Sequence, residues 1–280
     1  MERELRERTS SANGRRAVSR SWRAATSESS RAVETNAPRP QVSALHTPVL
    51  LAAGVAGAAL FSLLVGQTPL SVSRPAGIII KIFVLYFAIV VHEVSHGFVA
   101  YLRGDPTAKA MGRLTLNPIP HIDLFGTIII PGFLIIQSYF TGSHFIIGWA
   151  KPVPVDIRRF ADPLRDFAIT SMAGPASNFL QVAVYAVIFR MAYTWGWPDW
   201  VVYFGLAGAA INLFLGLFNL IPIPPLDGSR LVAAALPTRL AVQYLSIERF
   251  GFIIIFGLLW LGAFDVMRVL VGGILNLILF

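Results

Sequence analysis

The chain is predicted to be an all-α polytopic membrane protein of about five to six transmembrane helices, with a membrane-associated strand or re-entrant region among them. Three observations carry that prediction. Hydrophobic residues make up 55% of the 280 positions and charged residues 14%, and mean hydropathy is +0.65, which is far from the composition of a soluble globule. Apolar runs of about the length that crosses a bilayer recur along the chain. Between two of them the pattern breaks into short pieces punctuated by Pro and Gly, and irregular backbone survives at membrane depth only when buried in protein or lining a wet cavity.

The formal net charge of +8 would suit a nucleic-acid binder. The Arg and Lys residues, however, sit in a tail and in short loops beside apolar runs, where membrane topology accounts for them. The expected partner is the lipid bilayer, with no nucleic acid. There is no cysteine, so disulfides and thiolate ligands are excluded and any metal must be held by N and O donors.

In order, residues 1–46 are rich in Arg, Ser, Ala and Glu with little apolar periodicity, and are expected to be a disordered basic tail attracted to anionic lipid. Its several Glu residues count against an organelle transit peptide. Residues 47–280 are expected to form one integral membrane domain. Residues 48–67 are uncharged and read as a retained first span, since no small-residue cleavage site closes them. A second span covers Ala76 to Leu102. Arg113-Leu114-Thr115-Leu116-Asn117-Pro118 alternates like a strand, and residues 127–147 read as a membrane-dipping segment that returns to its starting side. Spans at 167–193 and 200–221 follow, then a polar interval with Arg230, Arg239 and Arg249, and a last apolar stretch, 250–280, interrupted by Asp265 and Arg268.

The chemistry is concentrated in the second span. His92 and His96 stand four residues apart, and on a helix that spacing puts both imidazoles on one face. Two such nitrogens can ligate a zinc ion, and Glu93 is placed to take a proton from a water activated by the metal. From Ile78 to Leu102 the only acidic or basic side chains are Lys81, His92, Glu93 and His96, and such groups at membrane depth are costly enough to be functional by default.

A catalytic zinc takes three protein ligands and keeps one position open. Beyond the tail the only glutamates are Glu93 and Glu248. Glu248 lies beside Arg249 at the mouth of a span and reads as a solvated surface carboxylate. Asp227 is the better third ligand: Pro222, Pro224 and Pro225 prevent a regular helix before it, so its carboxylate can be aimed at an ion. The competing role for Asp227 is to cap a helix starting near Gly228. His121 and Asp123 read as cleft-lining residues, and His46 and His144 are isolated.

His92-Glu93-x-x-His96, Gly174-Pro175-x-x-Asn178 and Leu226-Asp227-Gly228 occur in that order, each in or beside an apolar span. Together they resemble the site-2 protease family of intramembrane zinc metalloproteases, in its compact prokaryotic branch; no segment resembles the inserted PDZ domain of some relatives. The resemblance covers roughly residues 76–235 and extends to phrases such as Gly148-Trp149-Ala150-Lys151-Pro152-Val153-Pro154-Val155. It implies one catalytic Zn2+ held by His92, His96 and Asp227, with Glu93 as catalytic base and Asn178 binding substrate or stabilising the oxyanion. It also implies a three-helix catalytic core from spans 76–102, 167–193 and 200–221, and cleavage of transmembrane protein substrates in regulated intramembrane proteolysis. Leu124 stands where relatives are expected to have Pro, away from the metal ligands.

Arg103, Lys109 and Arg113 follow the zinc-motif span directly, and Lys151, Arg158, Arg159 and Arg165 follow the re-entrant piece. The positive-inside rule then places the active-site end and the N-terminus on the cytoplasmic side of a prokaryotic cell membrane. Two other functions compete. A membrane metal transporter or sensor would use the same ligands in transit, but no internal repeat of the motif is present. A catalytically inactive, substrate-binding relative would have no need for Glu93.

Overall fold

The computed structural model describes residues 72–129, 132–133, 136–137 and 150–280, all within one unit, Leu45–Phe280. The expected tail, the first span, most of the dipping segment at 127–147, His46 and His144 lie outside the described residues.

Helix α1, Arg74–Leu102, carries Pro75 in its first turn, where the missing N–H costs nothing. A short helix α2, Thr107–Ala110, follows. Helix α3, Pro163–Thr194, is opened by Pro163 and by Asp162, whose carboxylate accepts from the Arg165 backbone N–H. A tight turn leads to α4, Asp199–Asn219. These three long helices have the length and hydropathy to cross a membrane, and 78% of the most apolar stretch of α4 is buried, against 28% for α1 and 44% for α3. Helix α4 is therefore the inner element.

Lipid tails offer no hydrophobic advantage to helix pairing, so close packing has to hold the bundle together. Val84 and Ala88 of α1, Val182, Tyr185 and Phe189 of α3, and Leu213, Phe214 and Phe218 of α4 form the shared core. Gly205 lets α4 ride against α3: a Cβ there would lie 2.7 Å from the Phe189 backbone nitrogen. Trp195, Trp197 and Trp200 are exposed at the α3–α4 turn, as suits a membrane interface.

After α4 the Pro-rich stretch forms turns, with a cis Pro224–Pro225 bond. Helices α5, Gly228–Ala235, and α6, Thr238–Leu245, follow, then a 3-10 turn at Ser246–Phe250. The last apolar stretch is two helices, α7, Gly251–Trp260, and α8, Ala263–Leu279, broken at Gly262, whose φ of 82° suits the missing side chain. Both are shorter than α1, α3 and α4, and the described residues contain three helices long and apolar enough to cross a membrane.

One expectation is corrected. Arg113 to Pro118 is not a strand, and the described residues contain none. Several of its backbone groups bond to side chains or to turns instead of to a ladder. Tyr86 Oη donates to the Pro118 carbonyl at 2.9 Å, His121 Nε2 to the Thr115 carbonyl at 2.9 Å, and the Asn117 N–H to Thr115 Oγ at 3.1 Å. The stretch 150–156 is joined to the turn after this segment by the Lys151 N–H donating to the His121 carbonyl at 2.8 Å. The far end of that stretch is fixed by Asp105, fully buried, which accepts from the Asp156 N–H at 2.6 Å.

Candidate active site

One turn of α1 separates His92 from His96, and the two rings meet edge to face with centroids 4.6 Å apart. Their Nε2 atoms are 3.0 Å apart. Asp227 arrives from the Pro-rich break and sets Oδ2 3.2 Å from His92 Nε2 and 3.4 Å from His96 Nε2. Among the described residues these three form the group that could hold a metal ion.

The donor set fits zinc. Bonds of about 2.0–2.2 Å in a tetrahedral site put neighbouring ligand atoms about 3.3–3.5 Å apart, close to the three separations observed. His96 Nδ1 lies 2.8 Å from the Thr170 carbonyl, which can only accept, so the proton sits there and Nε2 carries a bare lone pair. Asp227 Oδ2 is buried and receives no hydrogen bond. Electron-pair donors converging this closely repel one another unless a cation lies between them. Asp227 precedes α5 in helical backbone conformation, but its side chain makes no capping bond, so the capping role is not the one it takes.

Helix α3 forms the floor. A Cβ on Gly174 would lie 2.5 Å from His92 Cε1, His92 Nε2 and His96 Nε2, so only a glycine lets α3 pass this close beneath the imidazoles. Glu93 is buried, and Oε2 accepts from the Val153 N–H at 3.0 Å. That contact needs Gly97, where a Cβ would meet Val153 Cγ1 at 2.5 Å. Pro152 and Pro154 flank Val153 and carry no N–H, which leaves Val153 as the donor of its tripeptide.

Asn178 is fully buried behind His92. Its Oδ1 lies 2.5 Å from His92 Nδ1, and its Nδ2 donates to Asn212 Oδ1 at 2.9 Å. Both ends of the amide are thus engaged within the protein. His121 and Asp123 stay outside the metal group. His121 bonds to Thr115, and Asp123 closes its own turn by accepting from the Gly126 N–H at 2.7 Å.

Glu248 corrects the reading of a solvated carboxylate: it is 3% exposed and pairs with Arg230 Nη2 at 2.9 Å. The Arg230 guanidinium also lies over the Phe167 ring, 5.0 Å from its centroid. Because Arg230 is three residues past Asp227, this pair ties the helix behind the third ligand to the 3-10 turn and to α3. Gly174 and Val153 stood in phrases singled out from the sequence, which gave neither a role of its own; sequence reasoning missed Thr170 and Asn212. Only Asn212, an amide inside an apolar run, carried a signal that could have found it.

Comparison with known proteins agrees with this geometry. The model of "Peptidase family M50" matches residues 191–261, a stretch that includes Asp227. The candidate zinc metalloprotease YwhC of Bacillus subtilis (strain 168) is 35% identical over 179 residues, covering 62% of this chain and 76% of its own length. The candidate zinc metalloprotease Rip2 of Mycolicibacterium smegmatis (strain ATCC 700084 / mc(2)155) is 28% identical over 186 residues, covering 64% of this chain and 68% of its own. No solved structure matches. On the strength of the YwhC match and the M50 model, the chain belongs to peptidase family M50, the site-2 protease family of zinc metalloproteases.

Proposed function

We infer that this chain is an intramembrane zinc metalloprotease that hydrolyses a peptide bond in or near a transmembrane helix of a membrane-protein substrate. The observation that carries the reading is the convergence of His92, His96 and Asp227 on one point, among helices apolar enough to span a bilayer. A transporter reading has no comparable support, since family membership favours hydrolysis.

In this reading His92 and His96 would hold the metal through Nε2 and Asp227 through Oδ2. When bound, zinc supplies Lewis-acid chemistry, polarising the scissile carbonyl and making a water more acidic. Glu93 accepts the proton of the attacking water and delivers it to the leaving amide nitrogen. Val153 fixes the Glu93 carboxylate through Oε2, so the second oxygen is the one that carries the proton. Asn178 has its amide turned to His92 and Asn212; service as an oxyanion donor would require its Nδ2 to leave Asn212. A substrate helix has its backbone groups paired internally, so it must unwind before its carbonyl reaches this site. Residues 114–116 are where the unwound segment would lie.

The Arg and Lys residues beside the site support an active-site end on the cytoplasmic side of the cell membrane. With no native cysteine, single-cysteine labelling reads this directly: Lys109→Cys is expected to react from the cytoplasm and Trp197→Cys from the opposite side. The activity itself is tested by incubating single-span membrane proteins with the purified protein in zinc-containing liposomes, with bound zinc quantified. Wild type is expected to cleave, Glu93→Gln to keep zinc without cleaving, and Asp227→Ala to lose zinc. Cleavage by Glu93→Gln at the wild-type rate would overturn the reading.

A further inference from the structure

Helix α4 supplies none of the three metal donors, yet it carries Asn212, fully buried in an otherwise apolar stretch. An amide at that depth is costly unless every polar atom finds a partner. Its hydrogen bonds form a directed chain. Asn212 Nδ2 donates to the Gly208 carbonyl at 3.0 Å, Asn178 Nδ2 donates to Asn212 Oδ1 at 2.9 Å, and Asn178 Oδ1 faces His92 Nδ1 at 2.5 Å.

The direction is fixed at the α4 end. A backbone carbonyl only accepts, so Asn212 must turn its NH2 toward Gly208 and its oxygen toward Asn178. Asn178 must then turn its NH2 toward Asn212 and its oxygen toward His92. Flipping Asn178 would set two carbonyl oxygens against each other; flipping Asn212 would do the same at Gly208. At the last link His92 can only donate, so its proton sits on Nδ1 and Nε2 keeps the lone pair a metal needs.

We propose that Asn212 is a positioning residue that, through Asn178, holds His92 in its Nδ1-protonated tautomer with the Nε2 lone pair free for zinc. The proposal rests on the zinc-centre reading above and extends it to a helix that holds no ligand. His96 is the internal contrast: its Nδ1–H donates straight to the Thr170 carbonyl, so its tautomer owes nothing to Asn212. Free imidazole in water prefers the opposite, Nε2-protonated form, so an Nδ1-protonated His92 in metal-free protein requires a cause.

The test uses full-length, zinc-stripped protein with 15N-labelled histidine and reads the nitrogen shifts of the neutral imidazoles alongside zinc affinity. In wild type both His92 and His96 are expected as Nδ1–H. Asn212→Leu is expected to move His92 toward Nε2–H, leave His96 unchanged, and weaken zinc binding about 10- to 100-fold, the usual range for partners of metal-ligating histidines. A carboxylate at position 178 accepts from His92 whatever residue 212 is. Asn178→Asp combined with Asn212→Leu is therefore expected to bind zinc as Asn178→Asp alone does, a rescue that a purely structural Asn212 would not permit. Nε2-protonated His92 in wild type, which needs no variant, would overturn the proposal, as would unchanged zinc affinity in Asn212→Leu or failure of the rescue. Undiminished zinc binding by His96→Ala would overturn the zinc centre and this proposal with it. Loss of zinc in His96→Ala, with retention in Asn212→Leu, would overturn the relay alone.

Discussion

The metal donors come from two kinds of backbone. His92 and His96 sit on an unbroken helix, where regular geometry alone brings their rings together. Asp227 sits in turns after three prolines, where nothing regular determines where a side chain points. The first region needs only space around it, which Gly174 and Gly97 provide by lacking a Cβ. The second needs bracing from outside, and the buried Arg230–Glu248 pair supplies it. Helical ligands are therefore sensitive to crowding, whereas the aspartate is sensitive to loss of an ion pair well away from the metal.

The largest effect should come from crowding. Gly174→Ala places a methyl within 2.5 Å of three imidazole atoms; zinc binding and cleavage are expected to be lost, read by metal analysis and a cleavage assay. If α3 can move aside, retained zinc will show that the helical region tolerates more than this comparison allows.

Next comes the brace. Arg230→Met leaves Glu248 as a buried, unpaired charge, and breaking one partner of such a pair costs about 3–5 kcal/mol. A large drop in thermal stability is expected, together with weaker zinc binding. Arg230→Met with Glu248→Leu removes both charges and should recover most of the stability. Zinc affinity in that double variant then separates bracing of Asp227 from bracing of the fold.

A smaller effect is expected from Leu116→Pro. Leu116 is 56% exposed on the segment 113–118, so zinc should stay bound and the fold intact while cleavage slows about tenfold, consistent with loss of substrate binding energy of about 1.4 kcal/mol. Unchanged cleavage would remove that segment from substrate binding.

The smallest concerns pH. Hydrogen bonding from the Arg158 guanidinium holds the Asp156 carboxyl below its ordinary value of 3.8. A lowered folded value means the stabilisation is fully present above the ordinary value and is lost as pH falls through the folded one. Because Arg158 is solvent-exposed, the loss should be small, read as a slightly flatter acid limb of stability in Asp156→Asn.

How legible these regions were follows the same division. The spacing of His92 and His96 is a helix period, and Glu93 lies between them, so chain order alone implied their meeting. Asp227 was found by elimination and by the prolines before it. Glu248 was misread because its partner, Arg230, is eighteen residues away, and a charge beside Arg249 looks solvated until the fold buries it. The alternation at 113–118 suggested a strand, but whether a strand forms depends on who bonds to it, and Tyr86 and His121 take its carbonyls. The two helices at 250–280 hinge on Gly262, one glycine among the chain's 23, whose left-handed backbone no local pattern announced.

The most direct measurement is the zinc X-ray absorption fine structure of the purified protein in wild type and Asp227→Ala. Wild type should hold one zinc with two imidazoles and oxygen ligands, and Asp227→Ala should keep the imidazole signature of whatever zinc remains while binding far less of it. A wild-type centre with three or more imidazoles, or identical zinc content and spectrum in Asp227→Ala, would contradict a site assembled from α1 and the proline-rich break.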